Sequence, residues 1–303
     1  QTVVPDDAKV AVANVTATQA AGRGFITAYE CGTTRPTVSN FNYQPVLRRA
    51  GLVYAPLSDD GSICLYTRQT VELIVDIDGY TPALGTYDGK TPVRIADTRT
   101  SSLVAAGDTF EVTPPASSAD ALAITVTSVN STANGYLTAY TCSEGLPASS
   151  TVNYRAGLPF ANLTIVGNEK ICVFTSKATN ILVDIHGEFS APVDLDKARL
   201  LDTRAGTQPA AGSTTVFDPS TAPDLAGAEV AAVNVTSARS ATNGYFTVWN
   251  CADTRPTAST LNYSAGEAIA NLAMVDTTRP VCVYTSAPSD VVLDLVAVTT
   301  PTP

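Results

Sequence analysis

A threefold internal repeat constrains this chain more than any other feature of its sequence. The segments VANVTATQAAGRGFITAYEC, LAITVTSVNSTANGYLTAYTC and AVNVTSARSATNGYFTVWNC end at Cys31, Cys142 and Cys251, spaced by 111 and 109 residues. Matching phrases follow: SNFNY at 39–43, STVNY at 150–154 and STLNY at 259–263. Then come ICLYT (63–67), ICVFT (171–175) and VCVYT (281–285), and each repeat closes on an apolar stretch with a central aspartate, Asp76, Asp184 or Asp294. A repeat of about 100 residues has the size of a whole domain rather than of one turn of a solenoid.

The repeated segments are short, rich in β-branched and aromatic residues, and punctuated by Gly, Pro, Asn and Asp, which predicts strands. No window sustains the i, i+3, i+4, i+7 spacing of an amphipathic helix. The expected fold is all-β: three tandem β-sandwich, jelly-roll-like domains at 1–85, 86–192 and 193–303, arranged as beads on a string. Six cysteines allow 15 pairings. The repeat selects one, because every domain carries its own equivalent pair: Cys31 with Cys64, Cys142 with Cys172, and Cys251 with Cys282. Such bridges imply an oxidising, extracellular compartment. A chain that begins at Gln1 fits a mature secreted protein whose signal peptide has been removed.

Two further phrases, VRIADTR (93–99) and ARLLDTR (198–204), precede the second and third repeats. Each runs through an Ala-Gly turn, Ala106-Gly107 or Ala211-Gly212, into another predicted strand. If the phrase opens the repeat that follows it, the first repeat has no counterpart; if it closes the repeat that precedes it, the third has none, and either way three cores share two such hairpins. Asp97 with Arg99, and Asp202 with Arg204, are expected to anchor them, either as fixed pairs or by reaching the central aspartate of a closing strand. A ligand-binding arginine is the other reading. An incomplete β domain exposes a strand edge, which invites pairing with another chain. A smaller terminal domain capped by its own terminus is the competing account.

Little in the chain points to catalysis. The single histidine, His186, stands where the first repeat has Asp78 and the third has Val296, which argues against a Ser-His-Asp or Cys-His arrangement. Paired cysteines are not nucleophiles, and two cysteines per repeat without a nearby histidine do not complete a zinc site. The recurrent aspartates lack a recurrent carboxylate partner at glycosidase spacing. DIDGY at 76–80 is the nearest approach to a calcium loop, and the other repeats do not keep it. No catalytic, cofactor or metal residue is therefore assigned, and the chain is expected not to be an enzyme. Its net charge of -10 disfavours nucleic acid. No apolar run reaches the roughly 18 residues of a membrane helix.

One strand per repeat carries an aromatic-x-Thr-x-aromatic-x-Cys pattern: Phe25, Thr27, Tyr29; Tyr136, Thr138, Tyr140; and Tyr245, Thr247, Trp249. Alternation puts these on one face and the more aliphatic set on the other, which is the candidate core. The aromatic face is either a platform for sugar stacking or subunit contact, or packing against the disulfide. Asn-x-Ser/Thr sequons occur at Asn14, Asn130, Asn162, Asn234 and Asn262. Asn14 and Asn234 belong to the repeated NVT phrase and read as backbone-bonding polar residues. The Thr/Pro tail reads as a linker or a site of O-glycosylation.

The combined order R-[IL]-[AL]-D-T-R, NVT, GY[LF]T-x-[YW]-x-C, S-T-x-NY, [IV]-CVY-T and a closing V-D-[IL]-x-GY resembles a tandem repeat domain of secreted and surface proteins from Gram-positive, actinobacterial-type bacteria. The resemblance covers nearly the whole chain and implies location and architecture, with no defined activity. The first repeat departs from it in lacking DTR, and the third in ending VAV where GY is expected. The resulting expectation is a structural or adhesive surface protein, the subunit of an extracellular filament or layer, whose partners are copies of itself joined head to tail. The alternative is an array of carbohydrate- or cell-wall-binding modules whose partner is a surface glycan.

Overall fold

The computed structural model describes residues 4–45, 47–82, 87–190, 195 and 197–299. The first repeat contributes β1 (Ala8–Thr18), β2 (Gly24–Glu30), β3 (Phe41–Tyr43), β4 (Arg49–Pro56), β5 (Ile63–Thr67) and β6 (Glu72–Pro82). The second contributes β7 (Tyr87–Asp97), β8 (Thr109–Val112), β9 (Ala121–Val129), β10 (Gly135–Thr141), β11 (Val152–Tyr154), β12 (Phe160–Gly167), β13 (Ile171–Thr175) and β14 (Asn180–Phe189). The third contributes β15 (Arg199–Asp202), β16 (Thr214–Phe217), β17 (Val230–Ala238), β18 (Gly244–Asn250), β19 (Leu261–Tyr263), β20 (Ile269–Asp276), β21 (Val281–Thr285) and β22 (Asp290–Thr299). Among the described residues helical structure is confined to short 3-10 turns, and no helix is long and apolar enough to cross a membrane.

The strands form six small antiparallel sheets. Their orders are β4-β1-β6 and β3-β2-β5 in the first repeat, β12-β9-β14-β7 and β11-β10-β13-β8 in the second, and β20-β17-β22-β15 and β19-β18-β21-β16 in the third. The aliphatic face of the aromatic-Thr strand is the core face: Ile26, Ala28, Leu137, Ala139 and Phe246 are all buried. In the first repeat Ile26 and Ala28 meet Ala13, Val15, Ala17, Val53 and Ala55 across the two sheets.

The expectation of three tandem, jelly-roll-like β-sandwich domains is corrected by this arrangement. The six sheets gather into two compact units. Unit 1 is Gln1–Leu146 with Ser150–Ala191, and unit 2 is Pro147–Ser149 with Pro192–Pro303. The boundaries at 85/86 and 192/193 lie outside the described residues, as do residues 300–303 of the tail. The physical reason for the merger is direct packing between the first two repeats. Apart from Lys9, β1 is buried along its whole length, so both of its faces are covered. The Tyr54 ring lies 4.6 Å from that of Tyr87 and 6.3 Å from that of Phe189. The Arg49 guanidinium sits over the Phe160 ring at 5.2 Å, and Asn40 Nδ2 is 3.3 Å from His186 Nδ1. Beads on a string would leave these rings in water, forfeiting about 25 cal/mol per Å² of apolar surface.

The recurring motifs have local causes. Gly24, Gly135 and Gly244 lie directly against the hydroxyls of Tyr43, Tyr154 and Tyr263, where an added Cβ would come within 2.3–2.7 Å. Those hydroxyls in turn donate to the carbonyls of Gln69, Lys177 and Ala287. The polar residue three positions before each tyrosine accepts from the aromatic-Thr strand: Asn40 Oδ1 from Ala28 N, Thr151 Oγ1 from Ala139 N and Thr260 Oγ1 from Val248 N. Of the five sequon asparagines, Asn130 is exposed and the other four are buried.

The three disulfides are Cys31–Cys64, Cys142–Cys172 and Cys251–Cys282, and the chain has no free cysteine. Each ties the end of the aromatic-Thr strand to its neighbour in the same sheet, with Tyr29, Tyr140 and Trp249 opposite Cys64, Cys172 and Cys282. Closing a loop of about 30 residues stabilises by roughly 3–4 kcal/mol in the chain-entropy model. Replacing Cys251 and Cys282 together by serine is therefore expected to lower the unfolding free energy of unit 2, measured by urea titration, by that amount. A loss below about 1 kcal/mol would contradict the estimate.

Candidate functional site

The DTR phrases belong to the repeats that follow them. The β7 strand pairs with the outer edge of β14 and β8 with that of β13; β15 and β16 do the same on β22 and β21. The first arginine of each phrase, not the last, reaches the central aspartate. Arg94 Nε and Nη2 donate to Asp184 Oδ1 and Oδ2 at 2.7 and 3.0 Å, and Arg199 Nε and Nη2 donate to Asp294 Oδ1 and Oδ2 at 2.8 and 3.3 Å. Both aspartates are fully buried, which pushes their carboxyls up, while the arginine hydrogen bonds pull them down. A bidentate fork is the strong form of this contact.

Asp97 and Asp202 end their strands and cap the 3-10 turns Thr98–Thr100 and Thr203–Ala205, each accepting the backbone N–H two residues on. Arg99 and Arg204 fold back onto them, with Nε at 2.9 and 2.8 Å from Oδ1. The Arg99 hydrogen bond holds the Asp97 carboxyl down to about 2, and Arg204 lowers Asp202 further. Thr98 and Thr203 accept the amides of Ile181 and Val291. At the following Ala-Gly turns, Gly107 and Gly212 sit at φ 85 and 75, a left-handed conformation that side chains resist.

The first repeat has the receiving strands without the hairpin. Among the described residues nothing pairs with the outer edge of β6 or of β5. Ile74 is 52% exposed where its counterparts Leu182 and Val292 are 4% and 2%; Val75 is 41% exposed where Val183 and Leu293 are 0% and 2%. Asp76 holds the place of Asp184 and Asp294, and no cation among the described residues reaches it. Its partial burial without a partner raises its carboxyl. A groove of about 590 Å³ opens beside this edge, lined in part by Ala8, Ala11, Leu57, Ile63, Val75 and Ile77. At the corresponding place in the third repeat, Leu200 of β15 and Phe217 of β16 fill the space, leaving a void of about 10 Å³.

The aromatic-Thr residues form a second surface. Phe25, Tyr136 and Tyr245 pair across the sheet with Tyr66, Phe174 and Tyr284 at 5.8–6.0 Å between ring centroids. The Arg35 and Arg255 guanidinium groups cover Tyr66 and Tyr284 at 3.7 and 3.8 Å. In the second repeat Leu146 stands at the equivalent position and, like Tyr136, is exposed. Tyr140 is buried, while Phe25, Tyr29, Tyr245 and Trp249 are half-buried. His186 is buried against Asn40, which lowers its imidazole to about 4, and its Nε2 has no partner among the described residues. No group of three or more potential metal ligands occurs among the described residues.

No family model matches the chain, and no curated protein does. Among solved structures, a chain from the atomic structure of Sulfolobus Turreted Icosahedral Virus is 8% identical, with 99% of this chain and 85% of that chain covered and a TM-score of 0.21. A likeness that low supports no argument about fold or function. The three intramolecular disulfides are typical of extracellular proteins.

Proposed function

We propose that this chain is a non-enzymatic structural or adhesive protein of a bacterial surface, secreted, and joined into an assembly through the open strand edge of its first repeat. The observation that carries this reading is the unpaired edge of β5 and β6 with Ile74 and Val75 in water. An open apolar edge is normally blocked by charge, bulges or a covering segment, and it templates pairing when it is not. The disulfides support an extracellular setting. Negative-stain microscopy and light scattering of the native material test the assembly. Filaments or layers are expected, dispersed by Val75→Lys, which places a charge on the edge. A monodisperse monomer at all concentrations would overturn the reading.

The exposed Tyr136 beside Phe174, covered by no arginine among the described residues, favours a second reading, in which this patch stacks on sugar rings of a surface glycan. A glycan pull-down that Tyr136→Ala leaves undiminished would remove it.

A further inference from the structure

We infer that the open edge of the first repeat is the receptor for one kind of partner: an extended segment of the Arg-apolar-x-Asp-Thr-Arg type whose leading arginine docks on Asp76. This rests on the assembly reading above and adds the chemistry of the donor. The chain contains two worked examples of the filled site. In both, an arginine in register with the central aspartate forks onto its two oxygens, in the pairs Arg94↔Asp184 and Arg199↔Asp294. Three residues further on, an aspartate caps a single turn. The threonine after it then takes an amide of the receiving strand, that of Ile181 or Val291.

Every receiving element has a counterpart in the first repeat. Asp76 replaces Asp184, and the amide of Leu73 replaces that of Ile181. The ICLYT strand β5 replaces β13, along which the second strand of the hairpin would lie, as β8 lies along Ile171–Phe174. The groove asks for apolar cargo where Leu200 and Phe217 sit in the third repeat, positions that Ile95 and Val112 hold in the second. Charge selects the same donor. The edge presents Asp76 and Asp78, and the groove carries Asp6, Asp59 and Asp60 on its rim against Lys9 alone. A segment led by arginine is attracted, and one led by a carboxylate is repelled. Backbone pairing along the edge supplies affinity, and the arginine with its alternate apolar residues supplies selection.

The test uses the 303-residue chain and a fluorescent synthetic peptide with the sequence of residues 87–113. Anisotropy is expected to show saturable binding, and amide exchange is expected to slow at 63–67 and 72–82. An Arg94→Ala change in the peptide is expected to weaken binding at least tenfold, as is Asp76→Asn in the protein. Asp76→Arg in the protein is expected to restore binding to a peptide carrying Arg94→Asp. Absence of binding overturns the inference, and so does binding indifferent to the peptide's arginine; the second result needs no protein variant and is immune to misfolding. The two readings separate cleanly. Assemblies that persist with Asp76→Asn contradict the arginine-led donor while leaving assembly intact. Arginine-dependent peptide binding by a chain that forms no assemblies does the reverse.

Discussion

Replacing Arg94 by alanine is expected to destabilise unit 1 by about 3–5 kcal/mol, the cost of stranding a buried charge. The Asp184 side chain is 0% exposed, and Arg94 supplies its bidentate partner from a strand 90 residues earlier in the chain. Removing the guanidinium leaves a carboxylate with neither solvent nor a hydrogen-bonded cation, so the variant must either protonate it or open the β7–β14 pairing. Urea unfolding followed by circular dichroism measures the loss, and amide exchange along β14 locates it. The double change Arg94→Leu with Asp184→Leu should recover most of the stability, because a well-packed apolar pair replaces a buried ion pair at little cost. A single variant that loses less than 1 kcal/mol would show that water reaches the pair.

Acidification is expected to remove a contribution of His186 to the stability of unit 1. Burial lowers this imidazole to about 4, against roughly 6.5 in an unfolded chain. The folded state therefore refuses a proton that the unfolded state accepts. The contribution is fully present above pH 6.5 and is lost as pH falls from 6.5 through about 4, by roughly 3 kcal/mol in all. Asp97, held at about 2 by Arg99, loses its contribution in a separate and lower window, between about pH 4 and 2. Asp78 has the opposite sign. Crowding by protein atoms and the neighbouring Asp76 raise it to about 6 although its surface still meets solvent, so it favours folding as pH falls. The measurement is accordingly a difference between the natural chain and His186→Val, the residue found at the equivalent position 296. The difference in stability should grow from pH 7 to pH 4; a flat difference would place a proton donor or water on the ring.

Much of the local architecture is legible in the residues because its causes are local. The phrase GYLTAYTC reads as a strand, its Leu137 and Ala139 read as core, and the equivalent cysteines of each repeat pair, all from periodicity and offset. The role of the DTR phrase is only half legible. Alternation suggests that Asp97 and Arg99 share a face of a strand, but the strand ends at Asp97 and turns, so the rule no longer applies at Arg99. Arg94 and Arg199 were the residues to single out. Their signal was present, since an arginine recurs three residues before the aspartate in both phrases, yet its partner lies 90 or 95 residues away and is identified only by strand register. The burial of His186 is illegible for a similar reason: the cover comes from Asn40, in a different repeat.

By itself, then, the sequence determines that this chain is built of β-strands in three copies, that each copy closes its own disulfide, and that two DTR phrases stand between the three copies. These follow from short-range chemistry and from comparing the chain with itself. The tertiary structure alone decides that the first two copies merge into one unit, that Arg94 and Arg199 rather than Arg99 and Arg204 hold the buried aspartates, and that Asp76 and Ile74 stand at an open edge. Those are matters of register and of which faces meet, set by contacts between residues far apart in the chain, and no local pattern encodes them.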